Sequence, residues 1–268
     1  MRVEQVSAED ARDTVRMDAR GLVELDDAVP KLARIDGERA VFDAGGLTPR
    51  KINAELRWLI YEQGATDVTV LNPSARHSLG VAILARCRIR FEGSLGYFGC
   101  GLIDGPEVVI TGRVGWSVAE NMMSGVVVVE SNAGSLAGAA LRGGDLVVKG
   151  DVGARTGIDQ KGGTIVVLGN AASMTGFMMQ RGRQIICGDV GRGLGDSMYD
   201  GTIYVGGEIA SLGIDCVEAE WTDADTELVE RKFQLYELGE PPALRKFVCG
   251  KKLYNYDILE PSERKLVL

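Results

Sequence analysis

GDVGARTGIDQKGGTIVVLGN, residues 150–170, ends on the pattern with which it begins. A glycine, two residues and another glycine are followed, after a gap, by a glycine pair and a run of β-branched residues, and then the spelling starts again. Laid out in steps of nineteen, Gly93, Gly112, Ser131, Gly150, Gly169, Gly188 and Gly207 fall in one column, with Ser74 one step upstream. Gly96, Gly115, Gly134, Gly153, Ala172, Gly191 and Ala210 form a second column, and Cys100, Ala119, Gly138, Gly157, Gly176 and Gly195 a third. Gly125, Gly144, Gly163, Gly182 and Gly201 form a fourth. Self-similarity at one fixed period is the signature of a solenoid, in which each repeat buries its apolar face against its neighbours.

The segments after the fourth column read VVVVE (126–130), DLVVK (145–149), TIVVL (164–168), RQIIC (183–187) and TIYVG (202–206), short and rich in β-branched residues. Each coil therefore contributes a strand that pairs with the same strand one coil later. No leucine ladder is present, and the glycine density would cost a helical repeat about 1 kcal/mol per site relative to alanine. The fold expected is mainly β: a parallel β-helix over residues 68–218 with about seven to eight coils. At roughly 4.8 Å per coil it makes a rod on the order of 35 to 40 Å long. Glycine suits such corners because it accepts positive φ and because the absence of Cβ lets successive coils stack closely.

Two apolar columns are expected to fill the rod: Leu95, Val114, Ala133, Val152, Ala171, Val190 and Ile209, and Val108, Val127, Leu146, Ile165 and Ile203, the latter interrupted by Gln184. Strand alternation places Val109, Val128, Val147, Val166, Ile185 and Tyr204 on the outer face, which should be wet and is apolar instead. We expect that stripe to be covered, by the chain's own terminal segments or by another subunit.

The flanks carry helix signals. Residues 1–67 are read as a small N-terminal α/β cap segment. In it TPRKINAELRWLIYEQG (48–64) has Thr48 as N-cap, Pro49 in the first turn and Gly64 as stop, and TDVTVLNP reads as the strand entering the first coil. Residues 219–268 are read as a helix over 221–242 followed by an extended docking tail. The two helices are expected to cap the two open ends of the rod, which would otherwise stack into fibres.

The bulk numbers bound the function. The chain has 268 residues, 45% of them hydrophobic, a formal net charge of -8 and 36 glycines, about twice the usual share of ~7%. No window outside the tail concentrates Lys and Arg, so nucleic acid is not an expected partner. No apolar run approaches the ~20 residues of a membrane span, and MRVEQVSAEDARDTV does not resemble a signal peptide, so a cytoplasmic location is expected. The cysteines, Cys87, Cys100, Cys187, Cys216 and Cys249, have no metal-ligand spacing and are read as reduced, mostly buried small hydrophobes.

Catalytic material is thin. The sole histidine, His77, falls in the second small-residue column of an atypical first coil and is read as a packed or capping residue. GRGLGDS (191–197) imitates a dinucleotide fingerprint, but its glycines recur every nineteen residues between strands and no helix follows to receive a pyrophosphate. Glu120, Asn121, Arg155, Asp159, Arg192 and Asp196 break the repeat; they read as a solvated face or as a partner-facing edge, with Arg155 and Asp159 on one surface of a single coil.

The segment GVVVVESNAGSLAGAALRGGDLVVKGDVGARTGIDQKGGTIVVLGNAASMTGFMMQRGRQIICGDVGRGLGDSMYDGTIYVGGEIASLGID, preceded by AENMMSG, resembles the glycine-rich GXGXG β-helix at the C-terminus of the glutamate synthase large subunit. It is still more similar to freestanding forms of that domain, such as a subunit of N-methylglutamate synthase, and the likeness covers roughly residues 68–220. The glycine-repeat subunit of formylmethanofuran dehydrogenase, and of the related formyltransferase/hydrolase complex, shares the pattern and stands as the alternative, in one-carbon metabolism. The resemblance implies a non-catalytic scaffold in nitrogen metabolism, with a class II glutamine amidotransferase and an FMN-binding synthase-like subunit as partners. It implies no catalytic, cofactor-binding or metal-ligating residue in this chain; FMN and an iron–sulfur cluster are expected in a partner subunit. A third reading, an independent enzyme with a carbohydrate groove on the rod, expects clustered carboxylates and aromatics on one outer face, and the apolar stripe speaks against it.

Overall fold

The computed structural model describes residues 29–250. Fourteen strands and two α-helices follow in the order β1 (Arg34–Asp36), β2 (Arg39–Asp43), α1 (Pro49–Arg57), β3 (Asp67–Leu71), β4 (Arg88–Glu92), β5 (Asp104–Ile110), β6 (Ser124–Val129) and β7 (Asp145–Val148). They continue with β8 (Lys161–Val167), β9 (Arg181–Ile186), β10 (Val190–Leu194), β11 (Thr202–Val205), β12 (Ile209–Leu212), β13 (Cys216–Ala219), α2 (Asp223–Leu235) and β14 (Arg245–Cys249). β2 to β9 and then β11 pair in parallel, each strand one coil beyond the last, so the molecule is a β-solenoid of about eight coils.

The coil length is not constant. Ala40 faces Val68, Val68 faces Ile89 and Ile89 faces Val108, so the step falls from 28 residues to 21 and only then to 19. The sequence columns placed Ser74 one regular step before Gly93; in the structure the position of the Gly93 Cβ abuts Pro73, because this first complete coil carries two extra residues. The coil before it is longer still because it holds α1. Thr48 caps α1, its Oγ1 accepting from Lys51 N–H at 3.4 Å, and the helix runs on into a π turn, Trp58–Glu62. Ile52, Leu56 and Leu59 are fully buried in the rod's core, and Asn53 and Arg57 of α1 donate to the Ser78 and Val81 carbonyls of the next coil.

Each regular coil has three sides. The strands just named form the first. The second is marked by parallel bridges through the column Leu95, Val114, Ala133, Val152, Ala171 and Val190, continued by β10 beside β12. The third is a ladder of coil-to-coil bonds in which Ala119, Gly138, Gly157, Gly176 and Gly195 N–H donate to Gly99, Val118, Ala137, Thr156 and Thr175. The expected core column Val108, Val127, Leu146, Ile165 and Ile203 is buried between these sides.

The glycine columns separate by cause. The third and fourth are left-handed, as at Gly157 (φ +62°). The first is set by crowding. A Cβ on Gly150 would lie 2.0 Å from Asn132 Oδ1, and one on Gly169 2.4 Å from Asp151 Oδ1. Those oxygens belong to a ladder the sequence reading did not find: Asn132, Asp151, Asn170 and Asp189 each accept the backbone N–H of the residue one coil on, at 2.7 to 3.0 Å. The two columns are one device, since the acceptor fits only where the neighbouring coil has no Cβ.

The second helix corrects an expectation. α2 does not cap the far end; it lies along the outer face of the first side, where Val229 and Phe233 pack with Val147, Val166, Ile185 and Tyr204. From Val128 to Tyr204 the apolar stripe is therefore covered, by the chain itself. α2 also ends earlier than the composition suggested. Glu237 turns left-handed (φ +53°), and the N–H groups of Glu237 and Leu238 return to Gln234 and Phe233 carbonyls, a Schellman closure before Gly239. The far end is finished by strands instead: β14 pairs antiparallel between β11 and β13, and β1 does the same beside β2 at the first end. The part of the tail over residues 251–268 lies outside the described residues.

Candidate functional site: the faces of the rod

Two ion-pair clusters fix α2 on the stripe. Asp145, almost buried on β7, accepts Lys232 Nζ at 2.6 and 2.8 Å and the hydroxyl of Tyr236. Asp225, in the first turn of α2, accepts Tyr204 Oη at 2.7 Å, Lys246 Nζ at 2.8 Å and, in a capping box, the Thr222 N–H and Oγ1. Burial works to raise the Asp225 pKa, but the hydrogen bonds from Lys246, Thr222 and Tyr204 outweigh it and hold the carboxyl well below the usual carboxylate range. Burial, with the adjacent Asp225 carboxylate, pushes the Tyr204 phenol up, and burial with Asp145 does the same to Tyr236. Both phenols are thus fixed as neutral donors. These contacts bring together residues up to 91 positions apart, and no local pattern announces them.

α2 leaves the first coils uncovered. Val147, Val166 and Ile185 are inaccessible and Val128 packs at the rim of the α2 cluster, whereas Val109, one coil earlier in the same stripe, is half-buried outside that cluster and Val41 is exposed. On the same early coils Tyr97 and Trp116 are about half exposed and stack with centroids 5.4 Å apart. His77 continues the stack at 4.6 Å from Tyr97, and its Nδ1 accepts the Tyr97 N–H at 2.8 Å. That is the packing role expected for His77: it extends the corner into the irregular first coil. Leu84, Leu102 and Met123, on three consecutive coils, are exposed near the corner where the third side turns back into the strands.

The polar residues that break the repeat sit on or beside the third side. Arg155 is exposed and Asp159 half-buried on one coil, and both are left-handed at φ +58°. Asp159 accepts Gln180 Nε2 from the next coil at 3.1 Å and lies 3.6 Å from Lys161 Nζ. Asp196 accepts the Ser197 hydroxyl, and Arg192 is exposed beside Ser211 of β12. Glu120 and Asn121 are half-buried and pass their backbone bonds along the ladder. The structure spreads these residues over separate coils rather than gathering them. Among the described residues, no three His, Cys, Asp or Glu side chains come together in a way that could hold a metal ion.

Inside the rod the last coils turn polar. Gln184 Nε2 donates to Gln160 Oε1 at 3.0 Å and to Gly157 O at 3.3 Å, while Gln160 Nε2 reaches the carbonyls of Gly162, Gly163 and Arg183. Thr156 and Thr175, also buried, return their hydroxyls to Gly153 and Ala172 O. Burial pushes the Cys100 thiol up to about 12 and those of Cys87, Cys187 and Cys216 to about 11, so at neutral pH they are protonated.

No protein-family model matches the chain. Over 91 residues it is 38% identical to Protein GlxC of Rhizobium meliloti (strain 1021). The matched region is 33% of this chain and spans 39% of the length of that relative. Among the described residues no helix is long and apolar enough to cross a membrane.

Proposed function

We propose that the chain is a non-catalytic scaffold subunit of a glutamine-dependent, glutamate-synthase-like complex that forms glutamate or N-methylglutamate. In this reading a class II glutamine amidotransferase and an FMN-binding, iron–sulfur synthase subunit dock on the rod, which fixes the ammonia-releasing site relative to the synthase site. The observation that carries it is the contrast along the rod. α2 closes the outer stripe from Val128 onward, while the early coils leave Val109 half-buried and Tyr97, Leu102, Trp116 and Met123 exposed. Exposed aromatic and aliphatic side chains on a rigid hydrogen-bonded frame have the character of a protein–protein contact. The resemblance of the repeat to glutamate-synthase-type subunits and the similarity to Protein GlxC over a third of the chain support the choice of complex.

The test is affinity purification from the native cell, with mass spectrometry and a visible spectrum of the eluate. The expected result is flavin and iron–sulfur absorption with an amidotransferase-like and an FMN-binding partner, both lost in a Trp116→Arg variant. Recovery of formylmethanofuran dehydrogenase-type subunits would move the chain to one-carbon metabolism. A chain that emerges alone and colourless overturns the subunit reading.

A further inference from the structure

Cys216 and Cys249 are far apart in sequence and face each other across the last strand pair, β13 against β14. The type of pairing matters. Gly250 N–H donates to Asp215 O at 2.7 Å, so residues 215 and 250 form a hydrogen-bonded pair. In an antiparallel ladder the two kinds of pair alternate, which makes Cys216 and Cys249 a non-hydrogen-bonded pair. In such pairs the Cα atoms stand about 4.5 Å apart and the side chains project to the same face. That separation lies within the ~4.4 to 6.8 Å that a disulfide spans. Both side chains belong to the rod side of the sheet: Cys216 is 5% exposed and Cys249 packs on the core cluster half-buried. Cys216 Sγ now lies over Gly195, where a Cβ would meet it at 2.8 Å, so joining Cys249 requires this side chain to turn away from Gly195.

We propose that Cys216 and Cys249 are a redox pair, which a low-molecular-weight disulfide converts to a cross-strand disulfide that locks α2 onto the rod. In the first step the thiolate of Cys249, the more accessible of the two, attacks one sulfur of the small disulfide. A mixed disulfide forms and one small thiolate leaves. In the second step Cys216, which burial keeps protonated at rest, gives up its proton as its sulfur attacks Cys249 Sγ and expels the other small thiolate. Two protein thiols are oxidised, one small disulfide is reduced to two thiols, and the two protons pass to the departing thiolates. The bond closes residues 217–248 into a loop, and that loop contains all of α2. Any opening of the cover is then confined, because the chain on both sides of it is tied at one point of the last coil.

The experiment treats the full chain with oxidised glutathione, blocks residual thiols by alkylation and maps peptides by mass spectrometry without reduction. The expected product is one linked pair of peptides containing residues 216 and 249, released by dithiothreitol, with Cys87, Cys100 and Cys187 alkylated after denaturation. Hydrogen exchange over 223–235 should slow at least tenfold in the oxidised form and return on reduction. Cys216→Ser should stop at the glutathione adduct on Cys249, and Cys249→Ser should take up no glutathione at Cys216. A stable adduct on Cys249 in the unsubstituted chain overturns the proposal. So does a bond between either residue and a third cysteine, or two unreacted thiols after treatment that oxidises an exposed-dithiol control.

Discussion

Phe233→Ala removes the aromatic side chain from the centre of the cover that α2 lays over the stripe. Phe233 is 2% exposed and packs in a cluster with Val147, Val166, Ile185, Tyr204 and Val229, separate from the interior of the rod. Truncating a buried Phe costs about 3 to 5 kcal/mol, part transfer and part cavity. α2 lies on the outside of the solenoid, where neighbouring side chains and water refill the space, so the lower end, about 3 kcal/mol, applies. At 1.4 kcal/mol per decade that is on the order of 150-fold in the equilibrium for lifting the helix. The strands beneath keep their ladder bonds whether α2 is docked or not, so the loss should be local. Hydrogen exchange read by peptide should show amides in 227–235 accelerated by roughly that factor, with those of β7 to β9 unchanged. Equal acceleration in both regions would show that the cover and the rod open as one unit. No acceleration in α2 would show that the helix is not held by this cluster.

Gly169→Ala should destabilise the rod by at least about 2 kcal/mol, because its Cβ would stand 2.4 Å from Asp151 Oδ1 and 2.8 Å from Gly150 C; Gly37→Ala, left-handed with nothing within 4 Å, should lose only about 1 kcal/mol, and paired urea melts compare the two. Asp225 has a folded pKa below its unfolded one, so its contribution is fully present above about pH 5 and is lost as pH falls below about 4 toward the folded value; Asp225→Asn should flatten that acid limb of stability, and an unchanged limb would mean other carboxylates cause it. Lys232→Met leaves Asp145, almost buried, with Tyr236 as its remaining partner and should lower stability by about 2 kcal/mol, whereas Asp145→Val with Lys232→Met should recover most of that loss in thermal melts. Gln184→Ile restores the aliphatic column but leaves Gln160 Oε1 without the donor it now has, so it should gain nothing in the melting midpoint until Gln160→Leu is added.

The period made the solenoid legible because a coil must match its neighbours at every column, and that constraint is written locally, residue by residue. The cover was half legible. Val147, Val166 and Ile185 on a face that alternation makes external required something apolar on top, but nothing in 221–242 says that its partner is the side of the rod rather than the end. The decisive residues, Asp145 with Lys232 and Tyr204 with Asp225, become neighbours only once the chain has turned back. The Asn and Asp ladder was missed for a different reason. Asn132, Asp151, Asn170 and Asp189 look like solvated corner residues, and only their common nineteen-residue spacing beside the first glycine column could have shown that they accept bonds along the rod. Composition was equally silent about the left-handed corners occupied by Leu136, Arg155 and Met174, where the coil-to-coil bonds override the preference for glycine.

A solenoid of nearly identical coils has its own difficulty: a strand that pairs one coil too far meets the same apolar columns and loses little. The features that break the repeat are the ones that remove this degeneracy. Gln184 stands where Ile165 and Ile203 stand in the coils on either side, and its Nε2 is satisfied by Gln160, Gly157 and Met179. Asp145 occupies a column where Val126 and Thr164 precede and follow it, and its carboxylate bonds both Lys232 and Tyr236. A mispaired coil would bury one of these groups without its partner, at about 1 to 3 kcal/mol for a neutral group and more for a charge. The polar interruptions therefore act on uniqueness more than on stability. They select one register for a chain whose hydrophobic pattern alone would accept several, and a partner that docks on particular coils needs that register to be single.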